Sequence, residues 1–306
     1  GFPSRPAGRG GFQFTASGTL ANVTGAVSIW NEANQAAVDP ANSATWKPCI
    51  EYACPPTQTA VLEAITQCVK FDITLEMSNP ERVRNLNNAL AALVARTYEG
   101  RILQRIDALS SAYVFSGDYG SLPGLIEAVN TLIPQLNYAN REKRGEYVLL
   151  IPPSVIELLT IDRANRGYGV EMEANDVMTY LKGNLSVRSI VETLDPSLGG
   201  EPGIPFAPLR PLGNQAAAGA IPYTSGGAYR IRLVDPAAAI FAETGEMNAG
   251  TLRDADLVRQ NKTGYFAERF FFLAKHGPQP WATIDIELCS DGSRAGLVAP
   301  FGCTKS

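Results

Sequence analysis

Residues 79–115 read NPERVRNLNNALAALVARTYEGRILQRIDALSSAYVF, with apolar members at Val83, Leu86, Leu90, Leu93, Val94, Tyr98, Ile102, Ile106, Leu109 and Tyr113. Steps of three and four sustained over so many turns predict one amphipathic helix from Asn79 to Phe115. Ser78 or Asn79 can cap it, Pro80 suits the first helical position, and Glu81 sits favourably in the first turn. Gly117 ends it. Gly100 lies inside at a cost of about 1 kcal/mol against Ala, which the surrounding periodicity outweighs, with a slight bend. At about 1.5 Å per residue this is a rod of roughly 50 Å, long for a globular domain of this size. Taken alone it is the core helix of an ordinary fold; its flanks narrow the choice.

Residues 1–31 carry Arg5 and Arg9 but no acidic residue, and Phe2, Phe12 and Phe14 are scattered among Gly, Pro, Ser and Thr. Such a segment cannot build a core of its own. It is either a frayed tail or an arm laid along neighbouring subunits, keeping two arginines near nucleic acid. From Ala26 to Asp72 strand-like runs alternate with turn residues. AVSIW is followed by a stretch with Asp39-Pro40, Asn42-Ser43 and Lys47-Pro48, the irregular end of a long protruding hairpin. Val69, Phe71, Ile73 and Leu75 then alternate with Lys70, Asp72, Thr74 and Glu76, which predicts a half-buried strand. A polar two-stranded loop of this length is marginal in isolation and needs a partner surface.

Beyond Gly117, Gly120, Pro123 and Gly124, a second helix is expected over about Leu125–Leu136, ending near Pro134. A buried strand follows at Tyr147–Ile151, then a helix opened by Pro153 and Ser154 through Arg166. A short helix covers about Ala174–Leu181, and Leu185–Val191 alternates as a strand. Asp195–Ala220, rich in Pro, Gly and Ala, reads as a long loop. Strands return at YRIRLV, AAAIFAE, YFAERFFFLAKHG and WATIDIEL, where Ile284, Ile286 and Leu288 against Asp285 and Glu287 point to one buried face. Cys289–Ser306 reads as a loop-like tail.

The search for chemistry narrows the function. The chain has one histidine, His276, in a turn, and no Gly-x-Ser-x-Gly elbow to supply a nucleophile. H-E-x-x-H, the P-loop and the Rossmann fingerprint are all missing. Gly8-Arg9-Gly10-Gly11 lies in the arm and is no phosphate cradle. Glu171 with Glu173, and Asp254 with Asp256, read as solvated charge. No cofactor and no metal are expected: Cys49 and Cys54 are spaced C-x4-C without a second pair or a nearby His. Five cysteines are too few and too odd in number for a secreted disulfide scaffold. No apolar run is long enough to span a membrane. With 18% charged residues and a net charge of −4, the whole surface is not a nucleic-acid binder. What remains is a globular centre with two projecting pieces that cannot stand alone, the profile of an assembly subunit.

The order of these parts resembles the major capsid proteins of tailed bacteriophages, whose Hong Kong phage-type fold also occurs in encapsulins. The stretch Ala44-Thr45-Trp46-Lys47-Pro48 is similar to that family's extended loop. VKFDITLEM and the helix after it resemble the entry to the spine helix. LLIPPSVIELLTIDRANRGYG and DVMTYLKGNLSVRSIVETLDP resemble the axial domain, and the run from RIRLVDPAAAIFAE to YFAERFFFLAKHGP resembles the returning strands of the peripheral domain. The resemblance spans about residues 20–288 in order and texture.

It implies an α+β fold with an N-terminal arm (1–28), an extended hairpin loop (29–72), a peripheral domain (73–118 and 226–290), an axial domain (119–225) and a C-terminal tail (291–306). It implies a structural, non-enzymatic subunit forming hexamers and pentamers of an icosahedral shell around double-stranded DNA. Portal and decoration proteins would be further partners, and the virion, assembled in the host cytoplasm, the location. Arg5 and Arg9 would then face the genome, and Trp46, Lys47 and Pro48 would make assembly contacts. Gly1 would be a product of maturation cleavage. Some relatives join a loop lysine to a neighbour's asparagine; Lys47 or Lys70 is the candidate lysine, Asn248 or Asn261 the partner. Cys49, Cys54 and Cys68 are candidates for redox bridges at subunit contacts. The alternatives are an encapsulin-like shell around protein cargo and, in another class, a soluble hydrolase or ligand-binding protein with 195–220 as its lid.

Overall fold

Alternating apolar residues build three sheets, and the 3.6-residue periodicity builds the helices that cover or bridge them. The computed structural model describes residues 5–6, 11–15, 18, 24–51, 57–114, 122–140, 146–166, 174–193, 227–243, 248–252, 254–277 and 280–288. The elements run β1 (Arg5–Pro6), β2 (Phe12–Thr15), α1 (Glu32–Ala36), β3 (Thr57–Ala60), β4 (Glu63–Asp72), α2 (Ile73–Ser78), α3 (Pro80–Leu109) and β5 (Ser110–Val114). Then come α4 (Leu122–Asn140), β6 (Val148–Ile151), α5 (Pro153–Arg166), α6 (Ala174–Asn184), β7 (Ser189–Glu192), β8 (Gly227–Val234), β9 (Ala239–Glu243), β10 (Asn248–Leu252), α7 (Ala255–Arg259), β11 (Lys262–Lys275) and β12 (Trp281–Leu288). This is the expected α+β class.

The five-stranded sheet has the order β5-β12-β8-β6-β7, with β12 parallel to β5 and antiparallel to β8. Its core packs α4, α5 and α6 through Leu125, Val129, Leu136, Val155, Leu159, Val177 and Leu181 against Leu149, Ile151, Ile231, Leu233 and Ile284. This is the largest apolar cluster and the main source of the burial free energy. In the four-stranded sheet, β11 is central: β4 lies along one side, and β10 and β9 pair with its two ends. A small third sheet, β1-β2-β3, adjoins the end of β11 through Phe14, Ala60 and Ala274.

The helix α3 links the two larger sheets. Near its C-terminus Leu103 and Ile106 pack with Val234 and Trp281, and in its middle Tyr98 lies edge-on to Phe271, with centroids 5.0 Å apart. Only Val83, Gly100, Leu103 and Ile106 are buried along it. It begins at Asn79 with Pro80 in the first turn as expected, but the Asn79 side chain makes no capping bond to the helix and donates instead to Ser78 Oγ.

Several expectations shift by a few residues, each for a physical reason. The long helix stops at Leu109, not Phe115. Ser110 Oγ donates to the Ile106 carbonyl at 2.6 Å, and residues 110–114 find a ladder on β12 that continued helix would forgo. Ile73 and Leu75 belong to a helix and not to the strand, which ends at Asp72; up to there Val69 and Phe71 do alternate with exposed Lys70 and Asp72. The second helix runs through Pro134 to Asn140, because Leu132, Ile133 and Leu136 are buried on both sides of the proline. AVSIW forms no strand; Thr24–Ala26 is a 3-10 turn and Trp30 leads into α1. In β12 both faces are buried from Trp281 to Ile284, since α3 covers the side that would otherwise meet water. The expected loop 195–220 and tail 289–306 lie outside the described residues.

Candidate assembly surface

The chain leaves the body between β2 and β3 and returns through them. The two strands pair antiparallel, Phe12 with Ala60 through Thr15 with Thr57. Gly11 enters β2 at φ +99°, and a Cβ there would lie 2.1 Å from the Ala60 carbonyl oxygen, so only glycine fits. Phe14 is 3% exposed, and the Phe12 ring meets Phe272 at 4.6 Å between centroids.

Residues 24–51, beyond this neck, contain no buried side chain. Their order comes from local polar bonds. Asn31 caps α1 by accepting from Asn34 N at 2.9 Å, Trp30 Nε1 donates to Gln35 at 3.2 Å, and Thr45 Oγ1 accepts from Asp39 N at 2.8 Å. Trp46 Nε1 donates to the Asp39 carbonyl at 2.9 Å, and Lys47 Nζ lies 5.7 Å from the centre of the Trp30 ring. Val27, Ile29 and Trp46 are 80%, 92% and 52% exposed. The head is thus held by local polar bonds, with three large apolar side chains in water.

Beneath the neck, charged side chains fix α3 to the sheets. Glu63 accepts from Arg101 Nε at 2.7 Å and also pairs with Arg105. Glu243 binds the Tyr98 hydroxyl and accepts from Arg269 at 2.7 Å, while the Arg269 guanidinium stacks 4.1 Å from the Tyr98 ring centre. Burial and then the bond to Glu243 push the Tyr98 phenol up to about 12. Arg232, 1% exposed, grips Asp107 with two bonds of 2.6 and 2.9 Å. Its neighbour Arg230 does the same to Asp285 at 2.8 and 2.9 Å, which raises its pKa. Burial alone lowers that of Lys275.

The buried Arg232 escapes sequence inspection, because an arginine in the alternating run YRIRLV reads as a solvent-facing position.

The candidate residues read from the sequence fall into four sets. Trp46, Lys47, Pro48 and Cys49 lie together on the exposed head. Cys68 and Lys70 are exposed on β4, and the thiols of Cys49 and Cys68 are free. Asn248 opens β10, and Asn261 sits at φ 56° between α7 and β11, a conformation Asn tolerates. Arg5 lies on β1, while Arg9 and Cys54 lie outside the described residues. Asp254, read as solvated charge, caps α7 by accepting from Leu257 N at 2.7 Å. The backbone N–H of His276 donates to the Ala238 carbonyl at 3.0 Å. Among the described residues no group of three or more His, Cys, Asp or Glu could hold a metal ion, and no helix is long and apolar enough to cross a membrane.

No protein-family model matches the chain, and no curated protein matches it. Solved structures do. The mature capsid of bacteriophage PhiM1 is similar at a TM-score of 0.47 and 12% identity, over 85% of this chain and 78% of that one. A structure from Gordonia phage Cozz is similar at 0.46 and 12%, over 85% and 77%. The virus-like particle from Pyrococcus furiosus is similar at 0.41 and 11%, over 75% and 78%.

Proposed function

We propose that the chain is a structural subunit that assembles with copies of itself into a closed shell, specifically the major capsid protein of a tailed phage enclosing double-stranded DNA. The observation that carries this reading is the head at 24–51: a segment without a buried side chain, presenting Val27, Ile29 and Trp46 to water. Obligate interfaces between such pieces commonly bury more than about 2,000 Å². In this reading Trp46, Lys47 and Pro48 contact a neighbour, and the subunits form hexamers and pentamers. The arm (1–28) lines the interior, where Arg5 and Arg9 attract phosphate by charge and not by sequence. The extended loop (29–72), the peripheral domain (73–118 with 226–290) and the axial domain (119–225) complete the subunit. The virion is its location, and portal and decoration proteins are further partners.

Negative-stain electron microscopy of the purified protein, with absorbance at 260 nm read on the same sample, tests this. Closed shells holding nucleic acid are the expected result. Shells that hold protein cargo instead would favour an encapsulin-like container. Small uniform particles at high concentration would overturn the shell reading and return the soluble hydrolase or binding protein.

A further inference from the structure

We infer that β2 is a clamp that closes the base of the loop carrying the head before a second copy is met. Its use in assembly rests on the shell reading above; the clamp itself does not. All of residues 16–56 lie in the loop that the β2–β3 ladder closes, and this ladder has four residue pairs. Among the described residues β3 has no other strand partner than β2. So short a ladder closing so long a loop needs more than backbone bonds.

The additional hold comes from two aromatic rings. Phe14 is buried with Ala60 of β3 and Ala274 of β11, so one side chain ties both sides of the neck to the body. Phe12 stacks on Phe272 two residues before Ala274. Gly11 allows the close entry, because its missing Cβ leaves room for the Ala60 carbonyl. The N-terminal segment therefore does a mechanical task within its own subunit. It seats the paired base of the loop on the end of β11, which reduces the ordering cost left for association.

Hydrogen exchange on the full unassembled chain tests the clamp, comparing the wild type with Phe14→Ala. The expected result is exchange of the β2 and β3 amides at least about tenfold faster, while the amides of β6 and β8 keep their rates. Unchanged rates at β3 would overturn the inference. Should Phe14→Ala accelerate β6 and β8 equally, Phe12→Ala removes the half-buried ring; selective acceleration of β3 supports the clamp, and its absence overturns it. These rates are read on unassembled subunits, so a chain that forms no shell sinks the proposed function and leaves the clamp decided by exchange.

Discussion

Glu63 and Glu243 stand on one rung of the four-stranded sheet, on either side of Phe271, and both carboxylates reach up to side chains of α3. Tyr98 lies across the phenylalanine between them. The rung pins the middle of a helix that buries little along its N-terminal half, and it does so where β4 receives the chain from the head.

Glu63→Gln removes the charge shared by Arg101 and Arg105 and keeps the shape. All three side chains are partly exposed, at 21%, 40% and 43%, so solvent screens the pair and the expected loss is about 1 kcal/mol. Urea denaturation reads it as a lower midpoint at unchanged slope.

Tyr98 makes stability depend on alkaline pH. The fold favours the neutral phenol, whose pKa moves from its ordinary 10.0 to about 12. A raised folded pKa means the contribution is fully present below pH 10 and is lost as pH rises from there through about 12. Tyr98→Phe therefore flattens this part of the alkaline stability profile, and equal profiles for both proteins would refute the assignment.

Arg232→Ala leaves Asp107 with Arg230 at 3.6 Å and opens a buried gap. A loss of about 3–5 kcal/mol is expected. The double replacement Arg232→Met with Asp107→Leu recovers much of it, because it fills the gap and removes the carboxylate that lost both of its Arg232 bonds. A double-mutant cycle by chemical denaturation gives the coupling.

Trp46→Ala separates folding from assembly. The ring is half exposed and holds one bond to the Asp39 carbonyl, so subunit stability changes by less than about 0.5–1 kcal/mol. The concentration needed for shells to form, followed by light scattering, rises several-fold. Assembly at the wild-type concentration would remove Trp46 from the interface.

Cys49 and Cys68 are free and exposed in the single subunit. Both react readily with a thiol reagent before assembly, and Cys49, on the head, is shielded once shells form. Labelling of single Cys→Ser variants, with and without assembly, assigns each site. Non-reduced electrophoresis of shells then shows whether either thiol bridges subunits, since unchanged migration excludes a bridge.

The sequence was most informative where one physical rule acted alone. Pro80 marked the start of α3 and Pro153 that of α5, each at the first helical position, where a missing N–H costs nothing. It misled where tertiary pairing overrode local preference, as at Ser110–Val114, whose helical spacing yields to the ladder on β12. Asp39-Pro40 and Lys47-Pro48 marked irregular chain, which the short α1 and the 3-10 turn at Ser43–Thr45 match, but the neck was not legible. Phe12 and Phe14 are separated from Thr57–Ala60 by more than forty residues, and no local pattern announces a partner at that distance. Arg232 escaped notice because alternation reports which residues share a face, not whether another element covers that face.

The position of β12 reaches back into the synthesis of the chain. This last described strand lies between β5 and β8, so a ribosome must have made every described strand of that sheet before β5 has its neighbour. Until then Trp281 is missing from the cluster that holds Leu103 and Ile106, and α3 has only part of its contact with that sheet, through Val234 and the Asp107–Arg232 pair. For the shell subunit proposed above, a chain still being translated would have no finished body from which to recruit copies, and strand order alone would discourage premature polymerisation.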